Sequence, residues 1–383
     1  MNRFIPLSVP NLNGNEQKYV NEAVVSEWVS TAGSFVKRFE EYTAEYLGVS
    51  KTVACQSGTS AIHLALIAGG VESEQEVIVP TLTFIAAVNP VSYIGAKPIF
   101  MDCDDSLCMD PIKLEIFCEN ECTVNNGELI NKKSSRRIKA IVVVHVFGNM
   151  ADMENICRIA QKYNLLVIED ATEALGTRYE SGKYKGRYAG TIGDVGAYSF
   201  NGNKIITTGG GGLVVAKDAE LLDKIRYLST QAKDDTVNFI HNEIGYNYRM
   251  TNLQAALGVA QMEQLEDFIQ IKKHNYEGYQ ADGVKLLPFR DGIRPNYWFY
   301  SYMAADSDGR SNKENLIAYL AENNIQARPV WGLINRQKPY KDSMAYKIEK
   351  AAYYEDYIVN IPCSSNLSIE EIHVVAEKIK ELG

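Results

Sequence analysis

The chain has 383 residues, 46% of them hydrophobic, which is enough to bury one large core and a second smaller one, so two domains are expected. A net charge of -9 and a pI near 5.3 argue against a nucleic-acid surface, because the strongest basic run is the short Lys132-Lys133-Ser134-Ser135-Arg136-Arg137, which reads as solvated loop. Seven scattered cysteines without paired ligand spacing support neither a disulfide framework nor a zinc site, and no stretch approaches the roughly 18 apolar residues of a membrane span. A cytoplasmic protein with reduced thiols, no metal and no membrane partner is expected, and Met1 to Pro6 carry no long apolar leader segment.

Short apolar runs alternate with amphipathic stretches over the first 215 residues, the pattern of an α/β domain with a largely parallel sheet. The clearest strands are Val77-Ile78-Val79, Pro98 to Met101, Ala140 to His145, Leu165 to Glu169 and Leu213-Val214-Val215. Between the second and third, the polar segment 119–137 with Asn125-Asn126-Gly127 reads as an inserted surface loop. After Thr251-Asn252 the spacing of Leu253, Ala256, Leu257, Ala260, Leu265, Phe268 and Ile269 predicts one linking helix over 251–282. The expected division is therefore a large domain over 1–250, that helix, and a compact α+β domain over 283–383. The last contains aromatic strand material at 297–302, a helix at 312–323 and a final helix from Ser368.

Five segments carry candidate chemistry. Ser57-Gly58-Thr59-Ser60 precedes an apolar helical stretch, and such a turn offers free N–H groups and a favourable dipole to a phosphate, although by itself it is also an ordinary cap. His63, on an apolar helical face, reads as packed rather than catalytic. Pro80-Thr81-Leu82-Thr83-Phe84 sets an aromatic after a strand, where open α/β sheets form ligand crevices, so Phe84 could stack on a flat ring or simply fill core.

The third segment ends an apolar strand in Glu169-Asp170, followed by Glu173. A carboxylate delivered there is costly without a cationic partner; at about 3 Å and an effective dielectric of about 20 the attraction is roughly 5 kcal/mol before desolvation. That suffices to keep a pyridine nitrogen protonated, with Asp170 as the candidate and Glu173 near the ring hydroxyl. The fourth, Ser199 to Lys204, supplies a hydroxyl for a phosphate and a lysine amine that partial burial makes nucleophilic. Acid first and lysine second is the order a pyridoxal phosphate enzyme requires. The glycines at 209–212 lead into a strand rather than a helix, so they read as a tight turn and not a dinucleotide loop. In the fifth, Gly245 to Met250, Asn247 and Arg249 could serve a phosphate or merely cap the following helix.

Taken together, Ser57-Gly58-Thr59, Pro80 to Phe84, Glu169-Asp170-Ala171, Ser199-Phe200 through Lys204, and Gly245-x-Asn247-x-Arg249-Met250 resemble the DegT/DnrJ/EryC1/StrS family of nucleotide-sugar aminotransferases across nearly the whole chain. The resemblance implies a fold type I pyridoxal phosphate transferase, with a mostly parallel sheet of the seven-stranded type flanked by helices. It implies that Lys204 binds the cofactor aldehyde and shuttles protons, that Asp170 pairs with the pyridine nitrogen, that Ser199, Gly58 and Thr59 hold the phosphate, and that Phe84 stacks on the ring. It also implies that Asn247 reaches the cofactor of a neighbouring subunit, hence a homodimer with shared sites. L-Glutamate would load the cofactor as pyridoxamine phosphate. The acceptor would be a UDP-linked 2-acetamido-2,6-dideoxy-4-keto sugar, because residues 201–212 and the 119–137 insertion resemble the enzymes of legionaminic acid and bacillosamine-type pathways. Weaker substrate candidates are Arg249, Arg328 and Trp331, together with Trp28 and Thr31 of the tract 28–33, which resembles the nucleotide-sugar entrance. Glu173 stands where many relatives carry glutamine or histidine, and Asn335 falls near a common histidine.

Two competing readings lose ground on the same residues. A sugar 3-dehydratase of this family usually replaces the lysine by histidine, and a non-catalytic sugar-binding or regulatory protein would be expected to lose Lys204 or Asp170.

Overall fold

The computed structural model describes residues 3–235, 237–305 and 308–382. Its centre is a sheet whose strands run, edge to edge, Val53–Cys55, Gly212–Ala216, Val195–Ser199, Leu166–Asp170, Arg137–Val144, Glu76–Pro80, Lys97–Met101 and Met344–Tyr346. From Val195–Ser199 onward every neighbouring pair is parallel, while Gly212–Ala216 runs against both its neighbours. The five expected strands are present within a residue or a few at each end. Helices cover the sheet, so its strands are apolar on both faces, as the unbroken burial of Val77 to Val79 and Ala140 to Val144 shows.

Three differences from the sequence reading have physical causes. Residues 119–137 form no free loop: Cys122–Asn125 and Glu128–Asn131 make a hairpin that pairs with the start of Arg137–Val144. Asn126 and Gly127 both take positive φ, 51° and 79°, as a two-residue hairpin turn requires. The single linking helix is two, Asn252–Met262 and Leu265–Ala281. The Gln264 N–H bonds the carbonyl of Gln261, three residues back, which tightens and ends the first helix, while Glu263 is held by Asn15, Tyr19 and Arg38. Thr251 and Gln254 cap the start reciprocally, as expected of that position.

The third difference concerns the division at 283. Tyr300–Met303, Ile358–Ile361 and Arg328–Pro329 do form a small antiparallel sheet beside the Lys313–Glu322 and Ile369–Leu382 helices. Met344–Tyr346, however, joins the edge of the large sheet, and Ile5 and Leu7 pair with residues of the small unit through Asn324, Gln326 and Cys363. Backbone groups at a sheet edge and at a chain end must find partners somewhere, and here they find them across the expected boundary.

Candidate active site

The parallel strands end together on one edge of the sheet, so their last residues converge. Asp170 ends its strand two positions away from the last residue of its neighbour, Ser199, since Asp170 is in register with Ala197. Beyond these ends lies a cavity of about 340 Å³. Of the residues picked from the sequence, Gly58, Thr59, Phe84, Asp170, Glu173, Ser199, Lys204 and Trp331 all line it.

Each is held by a local device. Ser57 caps the Gly58–Ala68 helix by accepting from the Ser60 N–H at 3.0 Å, which leaves Gly58 and Thr59 at the first turn, where a helix has N–H groups without intrahelical acceptors. Position 58 must be glycine: a Cβ there would lie 2.8 Å from Thr172 Cγ2 and 2.9 Å from Ser199 Cβ. The segment after Ser199 turns at once, with Lys204 N–H bonded to the Asn201 carbonyl at 3.0 Å and Phe200 paired to Gly211 and Thr208. Gly209 takes φ +78°, and the Gly210 carbonyl accepts from Gln254 at 2.7 Å, so this glycine run is a pinned tight turn, as its sequence suggested.

Three ionisable groups face one another in the cavity. Lys204 Nζ stands 3.8 Å from Glu173 Oε1, whose other oxygen accepts from the Phe147 N–H at 2.8 Å. Burial lowers the Lys204 amine pKa, against the opposing pull of Glu173 and Asp170. Burial raises the Glu173 carboxyl to about 7, with the Lys204 ammonium opposing it. Asp170 is raised by burial too, partly offset by its hydrogen bond from the Thr172 N–H at 3.0 Å. Behind Asp170, the fully buried Glu169 accepts from His145 Nε2 at 2.8 Å and from the N–H groups of Gly190 and Ile192 at 2.9 and 2.6 Å. The Ala151 N–H donates to His145 Nδ1 at 3.1 Å, so the imidazole carries its proton on Nε2.

These features fit pyridoxal phosphate. The glycine-lined helix turn suits a phosphate, Asp170 is a buried carboxylate without an ion pair among the described residues, and Lys204 is an amine pushed toward its neutral, nucleophilic form. When bound, that cofactor supplies an electrophilic aldehyde and an electron-accepting ring.

The Glu173 geometry sets a pH dependence for the protein without cofactor. Between pH 4.5 and about 7 the unfolded chain has released a proton that folded Glu173 still holds, so stability falls as pH rises through that window. Glu173→Gln removes the loss. Denaturant unfolding should show no gain for the variant near pH 4.5 and a gain on the order of 3 kcal/mol at pH 8. A gain that does not grow with pH would show that Glu173 ionises freely in the fold.

Other candidates lie elsewhere. Arg249 donates to Glu40 at 2.6 Å and to the Ala54 carbonyl at 3.0 Å, and Arg226 reaches the same carboxylate, so Arg249 ties the Ser34–Leu47 helix to the first strand instead of facing the cavity. A carboxylate half-sunk between helix and strand needs that compensation, which takes the guanidinium away from any ligand. Arg328 is exposed in the small sheet, opposite Asn360. Asn247, Trp28 and Thr31 are exposed and do not line the cavity of this chain; the tract 28–35 is held by Asn252, which donates to the Trp28 carbonyl and accepts from the Phe35 N–H. His63 packs among Tyr93, Tyr246 and Tyr248 outside the cavity. Asn335 accepts from Thr81 Oγ1 at 2.5 Å, closing the small unit onto the strand end before Phe84.

Sequence reasoning missed Asn203, Trp298 and Phe299, which also line the cavity. The aromatic run 297–302 was visible, but it read as strand.

The DegT/DnrJ/EryC1/StrS aminotransferase family matches residues 10–380. The chain is 38% identical to GDP-perosamine synthase of Escherichia coli O157:H7 over 99% of its own length and 98% of the relative's, and 34% identical to GDP-perosamine synthase of Caulobacter vibrioides over 99% and 98%. Among solved structures, a DegT DnrJ EryC1 StrS aminotransferase from Brucella abortus superposes with a TM-score of 0.86 at 27% identity, covering 96% of this chain and 95% of that one. A match of this extent, over a fold whose strand ends gather a lysine and two carboxylates in one cavity, places the chain in the DegT/DnrJ/EryC1/StrS family, as a pyridoxal phosphate-dependent aminotransferase of nucleotide sugars.

Proposed function

We propose that this chain transfers the amino group of L-glutamate to C4 of a nucleotide-linked 6-deoxy-4-keto sugar. The observation that carries the reading is the meeting of Lys204, Glu173 and Asp170 in one cavity, below an aromatic wall that includes Phe84 and Trp331. Lys204 removes the α-proton of glutamate in the first half of the reaction and delivers a proton to sugar C4 in the second. Asp170 holds the proton on the cofactor's ring nitrogen, and Gly58, Thr59 and Ser199 hold its phosphate. Phe84, 54% exposed at the mouth, leaves an apolar face for the ring and the sugar methyl.

The acceptor we propose is a UDP-linked 2-acetamido-2,6-dideoxy-4-keto hexose, of the legionaminic acid or bacillosamine type, on the resemblance of residues 201–212 and of the 119–137 segment. A GDP-linked sugar is the second reading, favoured by the two relatives named GDP-perosamine synthase. Incubating the holoenzyme with L-glutamate and each keto sugar nucleotide in turn, with the amino sugar followed by mass spectrometry and 2-oxoglutarate by a coupled assay, separates them. Amino product from the UDP sugar supports the first reading; product from the GDP sugar alone replaces it by the second; 2-oxoglutarate without either product leaves the donor half standing and refutes both acceptors.

The working unit in this reading is a homodimer. Val25, Trp28, Phe239 and Ile244 are 82%, 60%, 67% and 85% exposed in the single chain, an apolar surface of the kind that association covers, and exposed Asn247 stands free to reach a partner's site. No helix among the described residues is long and apolar enough to cross a membrane, and all seven cysteines are free, which supports a cytoplasmic setting.

A further inference from the structure

Trp298 belongs to none of the segments that mark the site in sequence, yet it touches the Lys204 segment twice. Its indole Nε1–H donates to the carbonyl of Asn203, the residue before Lys204, at 2.7 Å. The Lys204 Nζ lies 4.3 Å from the centroid of its ring. The ring itself is held firmly. Phe299 stacks on it at 4.1 Å with an interplanar angle of 7°, and the Trp298 backbone N–H donates to Asn296 Oδ1 at 3.0 Å. Asn296, fully buried, in turn donates to the carbonyls of Glu173 and Leu175, both at 2.9 Å. One bracket, 296–298, thus fixes the orientation of Trp298, the turn bearing Glu173 and the segment bearing Lys204.

In the proposed reaction the Lys204 amine is released whenever the cofactor holds the substrate's amino group instead. A released lysine must not wander, because it has to carry a proton back to the reacting carbon. The charged groups that face it are Glu173 at 3.8 Å, from the turn after the Leu166–Asp170 strand, and Asp170 from the strand itself. On the far side of the loop, buried Lys272 donates to the Cys363 carbonyl beside a small cavity that Lys204 also lines. Burial favours the neutral amine; the carboxylates and the aromatic face favour the ammonium. We propose that Trp298 is a positioning residue that receives the ε-amine of Lys204 on its ring face when the lysine is released, and steadies its ammonium form beside Glu173 between the taking of the α-proton and its return. The proposal rests on the reading of Lys204 as the cofactor-binding lysine.

The test uses the full chain freed of cofactor and mixed with pyridoxal phosphate across a range of pH, following the visible absorption band of the lysine-bound cofactor. Only the neutral amine adds to the aldehyde, with loss of water, so the pH midpoint of the rate reports how strongly the site favours the ammonium. Trp298→Leu removes the aromatic face, and its midpoint should fall by about one pH unit, which makes the reaction roughly tenfold faster well below the wild-type midpoint. Trp298→Phe keeps a face while losing the N–H, and its midpoint should stay within about 0.3 unit. If the leucine variant does not fold, a tetrafluorinated tryptophan at 298, which keeps the shape and the N–H but weakens the face, should shift the midpoint in the same direction. A midpoint unmoved in the leucine and fluorinated proteins, with only the rate scaled at every pH, would make Trp298 a mere packing residue and overturn the proposal. A wild-type chain that never develops the band would instead refute the assignment of Lys204.

Discussion

Lys204→Ala should lose amino transfer by about 10,000-fold or more while the protein stays folded. In the proposed reaction two functions sit on this one amine: it would be the nucleophile that holds the cofactor, and the group that carries protons in both halves of the reaction. Among the described residues no other lysine lines the cavity to take over either role. Little of the fold depends on the side chain, because the turn at 200–211 is closed by backbone bonds of Phe200, Lys204 and Thr208. Removing a buried amine whose burial already disfavours its charge also relieves a desolvation cost. The unfolding midpoint should therefore stay within about 3 °C of wild type, and the visible absorption band should vanish. Turnover within tenfold of wild type in a folded alanine variant would require another residue to do this chemistry, and the assignment would fail.

Asp170→Asn should slow both half reactions by about 100- to 1,000-fold and change the Michaelis constant for the sugar by no more than about threefold. The substitution keeps the size of the side chain and an oxygen to accept the Thr172 N–H. What disappears is the negative charge. Set about 3 Å from the ring nitrogen, at an effective dielectric of about 20, that charge would contribute roughly 5 kcal/mol, before desolvation, to keeping the nitrogen protonated. Burial already pushes the Asp170 carboxyl upward, so its charge is fully expressed only against a cation such as that ring. Single-turnover absorbance with glutamate reads the first half reaction separately from sugar binding. Equal losses in sugar binding and in the chemical step would mean that Asp170 shapes the cavity rather than holding that proton.

Much of the site was legible because its parts are local motifs. A capped helix turn at Ser57 to Ser60, a strand ending in Asp170 and a tight turn bearing Lys204 each carry their geometry in a few adjacent residues, and the cavity gathers all three. The alternation of apolar runs and helical spacing likewise foretold the parallel sheet, because strands buried on both faces must be apolar throughout. The 119–137 hairpin escaped notice since its strands are only four residues each and break the usual pattern, with Val124 exposed and Asn131 buried, although Asn126-Gly127 was a turn signal.

Short stretches of chain carry the acid at a strand end, the lysine-bearing turn and the capped glycine turn, in the order expected of a pyridoxal phosphate enzyme. Which distant residues meet them is set by packing. Arg249 reads from its motif as a phosphate ligand or a helix cap, yet Glu40, 209 positions away, claims its guanidinium. Trp298 looks like strand, yet it lies 4.3 Å from the amine of a lysine 94 positions earlier, because buried Asn296 finds its partners at Glu173 and Leu175. Such pairings follow from the need of each buried charge and amide for a partner within hydrogen-bonding reach, and that partner is settled by how the layers pack, which no local stretch of chain encodes.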